Sequence, residues 1–151
     1  MTRKPFTVMA ITASHNRIGF CFLIDKQPMD WQLAHHASKS PELTYEKAAQ
    51  WFAYYQPDII VTEDLNGSLT KGKKAQRLIL AIKEAALLTD AQHIECERVQ
   101  PYANKYEQID RLCAEFPQMS AVAPKRRRIF DNEPAATTIF ECLVLAKQLQ
   151  S

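Results

Sequence analysis

The run Pro57-Asp-Ile-Ile-Val-Thr62 constrains the fold of this chain more than any other stretch. It is short, apolar without alternation and bounded by polar residues, the pattern of a strand buried on both faces of a parallel or central position. A parallel strand needs a crossover, and the flanking segments supply the helices for one. On the N-terminal side, Ser40-Pro-Glu-Leu-Thr44 to Tyr55 carries Leu43, Ala48, Trp51, Phe52 and Tyr55 on helical spacing. On the C-terminal side, a polar loop with Asn66-Gly67 leads into a helix from Lys73 to Leu88, with Leu78, Ile79, Ile82, Ala86 and Leu87 facing inward.

The remaining segments complete the order. Phe6-Thr-Val-Met-Ala-Ile11 and Arg17–Asp25 read as strands joined by a polar turn, Ala13 to Asn16; Gln27-Pro28 marks another turn, and Asp30–His35 a third strand. Gln92–Val99 is a further strand, ended at Pro101, and Asn104–Phe116 a helix with Tyr106, Ile109, Leu112, Cys113 and Phe116 on its apolar stripe. Pro117–Pro124 reads as a loop, and Pro134 suits the first turn of a last helix ending near Leu149. Three meandering strands followed by alternating helices and strands give an α/β domain with a mixed sheet. With 151 residues, no repeat and no linker composition, a single domain over 1–151 is expected.

Hydrophobic residues at 46% and charged residues at 24% exclude disordered and fibrous chains. No apolar stretch approaches the roughly 18 to 20 residues that span a bilayer, and no small-residue cleavage site follows the basic N-terminus. A cytoplasmic protein with no membrane association is expected. Cys21, Cys96, Cys113 and Cys142 are scattered singly in apolar surroundings without metal-ligand spacing, and read as buried free thiols.

The net charge of +2 conceals an uneven distribution. Lys71, Lys73, Lys74 and Arg77 form one acid-free cluster, and Lys125, Arg126, Arg127 and Arg128 a second; setting these eight aside leaves 11 bases against 17 acids. Concentrated bases on an acidic body are the footprint of polyanion contact, although a charge run can also be solvated surface.

Catalytic groups of open α/β sheets gather at the carboxyl ends of central strands. Glu63 and Asp64 stand there, just before the first basic cluster. A carboxylate beside phosphate-binding lysines suits metal-assisted phosphodiester chemistry, whereas an isolated strand-end carboxylate also serves as a cap. Glu141 interrupts the apolar run Thr137-Thr-Ile-Phe-Glu-Cys-Leu-Val-Leu-Ala146, and either snorkels outward or is held inward, with Thr138 one turn before it. Asp64 points to the opposite strand face from Glu63. His15 reads as a turn residue able to offer a nitrogen or carry a proton, and Tyr102 and Tyr106 as packing residues able to stack on a base.

Several of these pieces, in this order, resemble the RuvC-type Holliday-junction resolvases of the RNase H-like superfamily: Ile-Thr12-Ala-Ser-His-Asn-Arg-Ile-Gly19-Phe, Pro57-Asp-Ile-Ile-Val-Thr-Glu63, the strand Glu95 to Val99 before Pro101, and Thr138-Ile-Phe-Glu141-Cys-Leu-Val-Leu. The resemblance implies a mixed five-stranded sheet flanked by helices, and a nucleic-acid surface for structured or branched DNA. It also implies a divalent-metal-dependent endodeoxyribonuclease in which Glu63 and Glu141 are catalytic and hold Mg²⁺ or Mn²⁺, and a homodimer. Lys71, Lys73, Lys74, Arg77 and Lys125 to Arg128 would flank the cleft. The chain departs from the pattern at Thr12 and Thr138, where the family has acids. A neutral hydroxyl is a poor replacement for an anionic bridging ligand, so fold and nucleic-acid binding are better supported than cleavage. The alternative is a catalytically inactive protein-interaction module whose basic segments meet an acidic partner. A nucleotide-binding, actin-like reading is opposed by the lack of a glycine-rich loop, the glycines being Gly19, Gly67 and Gly72 alone.

Overall fold

A computed structural model describes residues 5–14, 16–66, 71–97, 105–122 and 137–150. The expectations for His15, Gly67, Pro101, Tyr102, Lys125 to Arg128 and Pro134 lie outside these residues, as does the Tyr106 side chain. Strands β1 (Thr7–Ser14), β2 (Arg17–Ile24) and β3 (Gln27–Ala34) form the meander. They are followed by a 3₁₀ turn (His36–Lys39), helix α1 (Pro41–Tyr55), β4 (Ile59–Glu63), α2 (Lys73–Leu87) and β5 (Gln92–Cys96). Helix α3 (Lys105–Glu115), a 3₁₀ segment (Pro117–Val122) and α4 (Thr137–Gln150) complete the order. The sheet runs β3-β2-β1-β4-β5, with β1–β4 and β4–β5 parallel and the other pairs antiparallel. It is the mixed five-stranded α/β sheet expected of an RNase H-like fold.

Period-two alternation sorts the sheet into two apolar faces. Met9, Ile11, Phe20, Phe22 and Ile60 pack against α1 and α2, whereas Val8, Ala10, Cys21, Leu23, Ile59 and Val61 pack against α3 and α4. Helix α1 begins where the Ser40 hydroxyl accepts the Leu43 N–H at 3.1 Å and Pro41 fills the first turn. It ends at Gln56, whose left-handed φ of 47° lets its N–H reach the Phe52 carbonyl.

Several boundaries differ from those the residues suggest. β1 continues through Thr12 and Ala13 to Ser14, which pairs with Arg17, so the expected turn from Ala13 shrinks. Within the expected turn, Ser14 is half-buried and pairs with Thr138, 124 positions away, whereas Asn16 is exposed. The next hairpin turns at Asp25-Lys26, both left-handed at φ 48° and 73°, rather than at Gln27-Pro28. Two positive φ values match the right-handed strand twist, and Pro28 is tolerated because β3 is an edge. β5 stops at Cys96, and much of the expected loop after Pro117 is 3₁₀ helix. Leu87 is 70% exposed, not inward, because α2 turns Leu78, Ile79, Ile82, Ala85 and Ala86 to the sheet. Cys21 and Cys142 are buried, but Cys96 and Cys113 are half-buried, because each lies near the margin of the core.

Candidate functional site

The parallel register that aligns Ala10 with Val61 carries forward two residues to bring Thr12 and Glu63 together on the α4 face. The Thr12 hydroxyl donates to Glu63 Oε2 at 3.0 Å, with the two residues 0% and 2% exposed. Asp64, next in sequence, accepts the Asn66 N–H at 2.9 Å and is used in the turn that follows β4.

Opposite Thr12 in the sheet is Gly19, and its missing side chain sets how closely α4 can approach. A Cβ there would lie 2.8 Å from Leu33 Cδ2, 3.1 Å from the Gln32 carbonyl oxygen and 3.3 Å from Thr138 Cγ2. With only hydrogen at that position, the Cys142 thiol donates to the Gly19 carbonyl at 3.2 Å, which seats α4 directly on β2. The Thr138 hydroxyl pairs with Ser14 Oγ at 3.0 Å and accepts from Arg17 Nε at 3.1 Å. One turn on, Glu141 is held inward, its side chain 18% exposed, which settles the choice the apolar run left open.

Lys71, immediately before α2, closes the arrangement. Its Nζ lies 2.7 Å from Glu141 Oε2, 2.8 Å from the Ala13 carbonyl oxygen, 3.2 Å from Glu63 Oε2 and 3.3 Å from Thr12 Oγ1. The Lys71 side chain is 9% exposed, and its backbone carbonyl accepts from Gln76 Nε2. Two carboxylates converging on one ammonium in a largely dry setting form a charge-assisted network, so each group there depends on the others for its solvation.

The structure therefore divides the first basic cluster. Lys71 is inside the site with Glu63, Glu141 and Thr12, while Lys73, Lys74 and Arg77 are exposed on the first turns of α2. Sequence reasoning placed Lys71 with the phosphate ligands because it is embedded in that run. The signal that could have separated it is the need of two inward carboxylates for a buried cation. Ser14 and Arg17 were also missed, and nothing in their local sequence points to the site. Two other side chains of a ligating type are engaged elsewhere. Burial pushes the Cys142 thiol well above its usual range, leaving a neutral donor to Gly19. His93 faces Thr62, whose hydroxyl lies 2.7 Å from Nε2, and burial lowers its pKa.

These groups do not fit a pair of divalent ions. Mg²⁺ takes oxygen ligands at about 2.0–2.1 Å, usually from carboxylates that bridge the ions. Here the first-strand position is a neutral Thr12 whose proton points to Glu63, and one oxygen of each carboxylate is engaged by Lys71. Among the described residues, no three His, Cys, Asp or Glu side chains come together as a metal site. Among the described residues also, no helix is long and apolar enough to cross a membrane.

No protein-family model and no curated protein sequence matches the chain. Solved structures do. A Thermus thermophilus RuvC structure superposes with a TM-score of 0.62 at 10% identity, covering 93% of this chain and 91% of that one. T. thermophilus RuvC in complex with a Holliday junction substrate gives 0.58 at 11% identity over 93% and 90%. The fowlpox virus resolvase, solved with Holliday junction DNA, gives 0.61 at 13% identity over 97% and 100%. At these identities the likeness is one of fold, and the chain has the RuvC-like form of the RNase H fold.

Proposed function

We propose that residues 1–151 are a single nucleic-acid-binding domain that takes structured or branched DNA along the edge of the Thr12–Glu63–Glu141 cleft and does not cleave it by a metal-dependent route. The observation that carries this reading is the exposed trio Lys73, Lys74 and Arg77 at the N-terminal end of α2. Side-chain charge there adds to the helix dipole, and both favour phosphate. The trio is two to six residues from Lys71 in the cleft, on a fold that T. thermophilus RuvC and the fowlpox resolvase share in complexes with Holliday junctions. In this reading Lys125 to Arg128, outside the described residues, supply further phosphate contacts. Phosphate contacts position a substrate without reading its sequence, so recognition here is of shape. A homodimer suits such a substrate, because a four-way junction presents two equivalent strands.

The test uses labelled four-way junction, duplex and single-stranded DNA, each with and without Mn²⁺. The native chain is expected to bind the junction most tightly and to leave it intact. Changing Lys73, Lys74 and Arg77 together to Ala should weaken binding and reduce the slope of log K against log salt by about 3. Binding to none of the three would overturn the reading and favour the acidic-partner module. Mn²⁺-dependent cleavage that disappears in Glu63→Gln would restore Glu63 and Glu141 as metal-holding catalytic residues.

A further inference from the structure

We infer that the Lys71 ammonium is the resident cation of the carboxylate cleft, occupying the point between Glu63 and Glu141 where a divalent ion would have to sit. In consequence the native site takes no Mg²⁺ or Mn²⁺, and a metal site emerges only when Lys71 is removed. This inference goes beyond nucleic-acid binding and holds whether or not the chain binds DNA.

Four oxygens of three chemical kinds aim at one nitrogen: two carboxylate oxygens, the Ala13 carbonyl and the Thr12 hydroxyl. Such an all-oxygen set is what a hard cation takes. The distances of 2.7 to 3.3 Å are those of an ammonium, longer by about 0.6 to 1.2 Å than Mg–O lengths of about 2.1 Å. An ammonium has three protons and here faces four acceptors, so it has none left over for a phosphate. The Thr12 hydroxyl accepts from Lys71 and donates its own hydrogen bond to Glu63, which fixes a one-way chain Lys71 to Thr12 to Glu63. An aspartate at position 12 could not donate in this way when ionised, so the threonine and the lysine belong to one arrangement. A metal entering this site would have to displace a tethered cation that is already within the same coordination space.

The experiment compares the native chain, Lys71→Met and the double variant Lys71→Met/Glu141→Gln in Mn²⁺ titrations, read by calorimetry and by thermal melting. Lys71→Met is expected to bind one Mn²⁺ at least tenfold more tightly than either of the other two, and its melting temperature should rise with Mn²⁺ until saturation. The native melting temperature should not move. A folded Lys71→Met with no gain over the native chain would overturn the inference. Since that variant removes a cation from between two carboxylates and can fail to fold, amide spectra of the native chain provide a separate decision. Paramagnetic broadening by Mn²⁺ at Thr12, Ala13, Glu63 and Glu141 would overturn the inference, and spectra unchanged there support it.

Discussion

Gly19 and Phe20 are neighbours on β2, yet they serve opposite faces of the sheet by opposite means. Phe20 is fully buried against α1, its ring centroid 4.8 Å from that of Trp51 and 5.0 Å from that of Tyr55, both edge-on. That face is filled by bulk. Gly19 contributes only the absence of a side chain, and the vacated space is taken by α4, which brings Thr138, Glu141 and Cys142 against the strand ends. The α1–α2 face is therefore held chiefly by apolar area and ring packing. The α4 face has an apolar floor, but at the carboxyl ends of β1 and β4 it changes to hydroxyls, carboxylates and one buried ammonium. A single strand thus separates a face filled by bulk from the one that carries the candidate site, and the two should answer differently to substitution.

Truncating the bulky side should give the largest effect. Phe20→Ala is expected to cost about 3–5 kcal/mol, measured by urea unfolding. The spectra of Thr12 and Glu141 should be little altered in the fraction that remains folded. Adding one carbon on the other side should cost less and disturb more of the site. Gly19→Ala must displace Leu33 or Thr138, at about 1–3 kcal/mol, and should shift the resonances of Thr138, Glu141 and Lys71 together. Equal costs with equal spectral spread in the two variants would erase the distinction between the faces.

How much of this was legible follows from the physics of each signal. Among the described residues, alternation, apolar runs and helical spacing identified the five strands and four α-helices but not the two 3₁₀ segments, because burial against a sheet imposes periods that a sequence displays directly. The end of β1 was hidden, since Ala13 and Ser14 read as turn residues until Lys71 and Thr138 are brought beside them. Glu63 was legible as a strand-end carboxylate, and Glu141 as an acid breaking an apolar run. Lys71 was not, because a buried cation among exposed ones looks identical in sequence to its neighbours. Leu87 failed for a related reason: at the end of α2, spacing alone assigns it to either edge of the apolar stripe, and its exposure shows which edge was wrong.

The smallest expected effect concerns alkaline pH and again separates the faces. Burial pushes Cys21, on the α4 face, up to about 12 from an ordinary 9.0. Between those values the unfolded chain has lost this proton while the native chain retains it. The native state binds more protons, so stability falls as pH rises from about 9 and is unaffected by this group below that. Melting temperatures between pH 8 and 11 should decline less steeply in Cys21→Ala than in the native chain. Parallel declines would show that this thiol contributes nothing to the alkaline loss.

The site's connectivity carries a kinetic consequence. Thr12 and Glu63 are 51 positions apart, Lys71 and Glu141 70 apart, and Ser14 and Thr138 124 apart. Contacts across such separations close late, because the entropy of the intervening loop must be lost before they give anything back. The sheet and its α1–α2 cover can be assembled from shorter-range pairings, leaving the docking of α4 as a distinct event. Until it occurs, Thr12, Glu63 and Lys71 have no Glu141, and the cleft lacks one wall. Exchange protection at Thr138 through Cys142 would then report on completion of folding in a way that the rings around Phe20 do not.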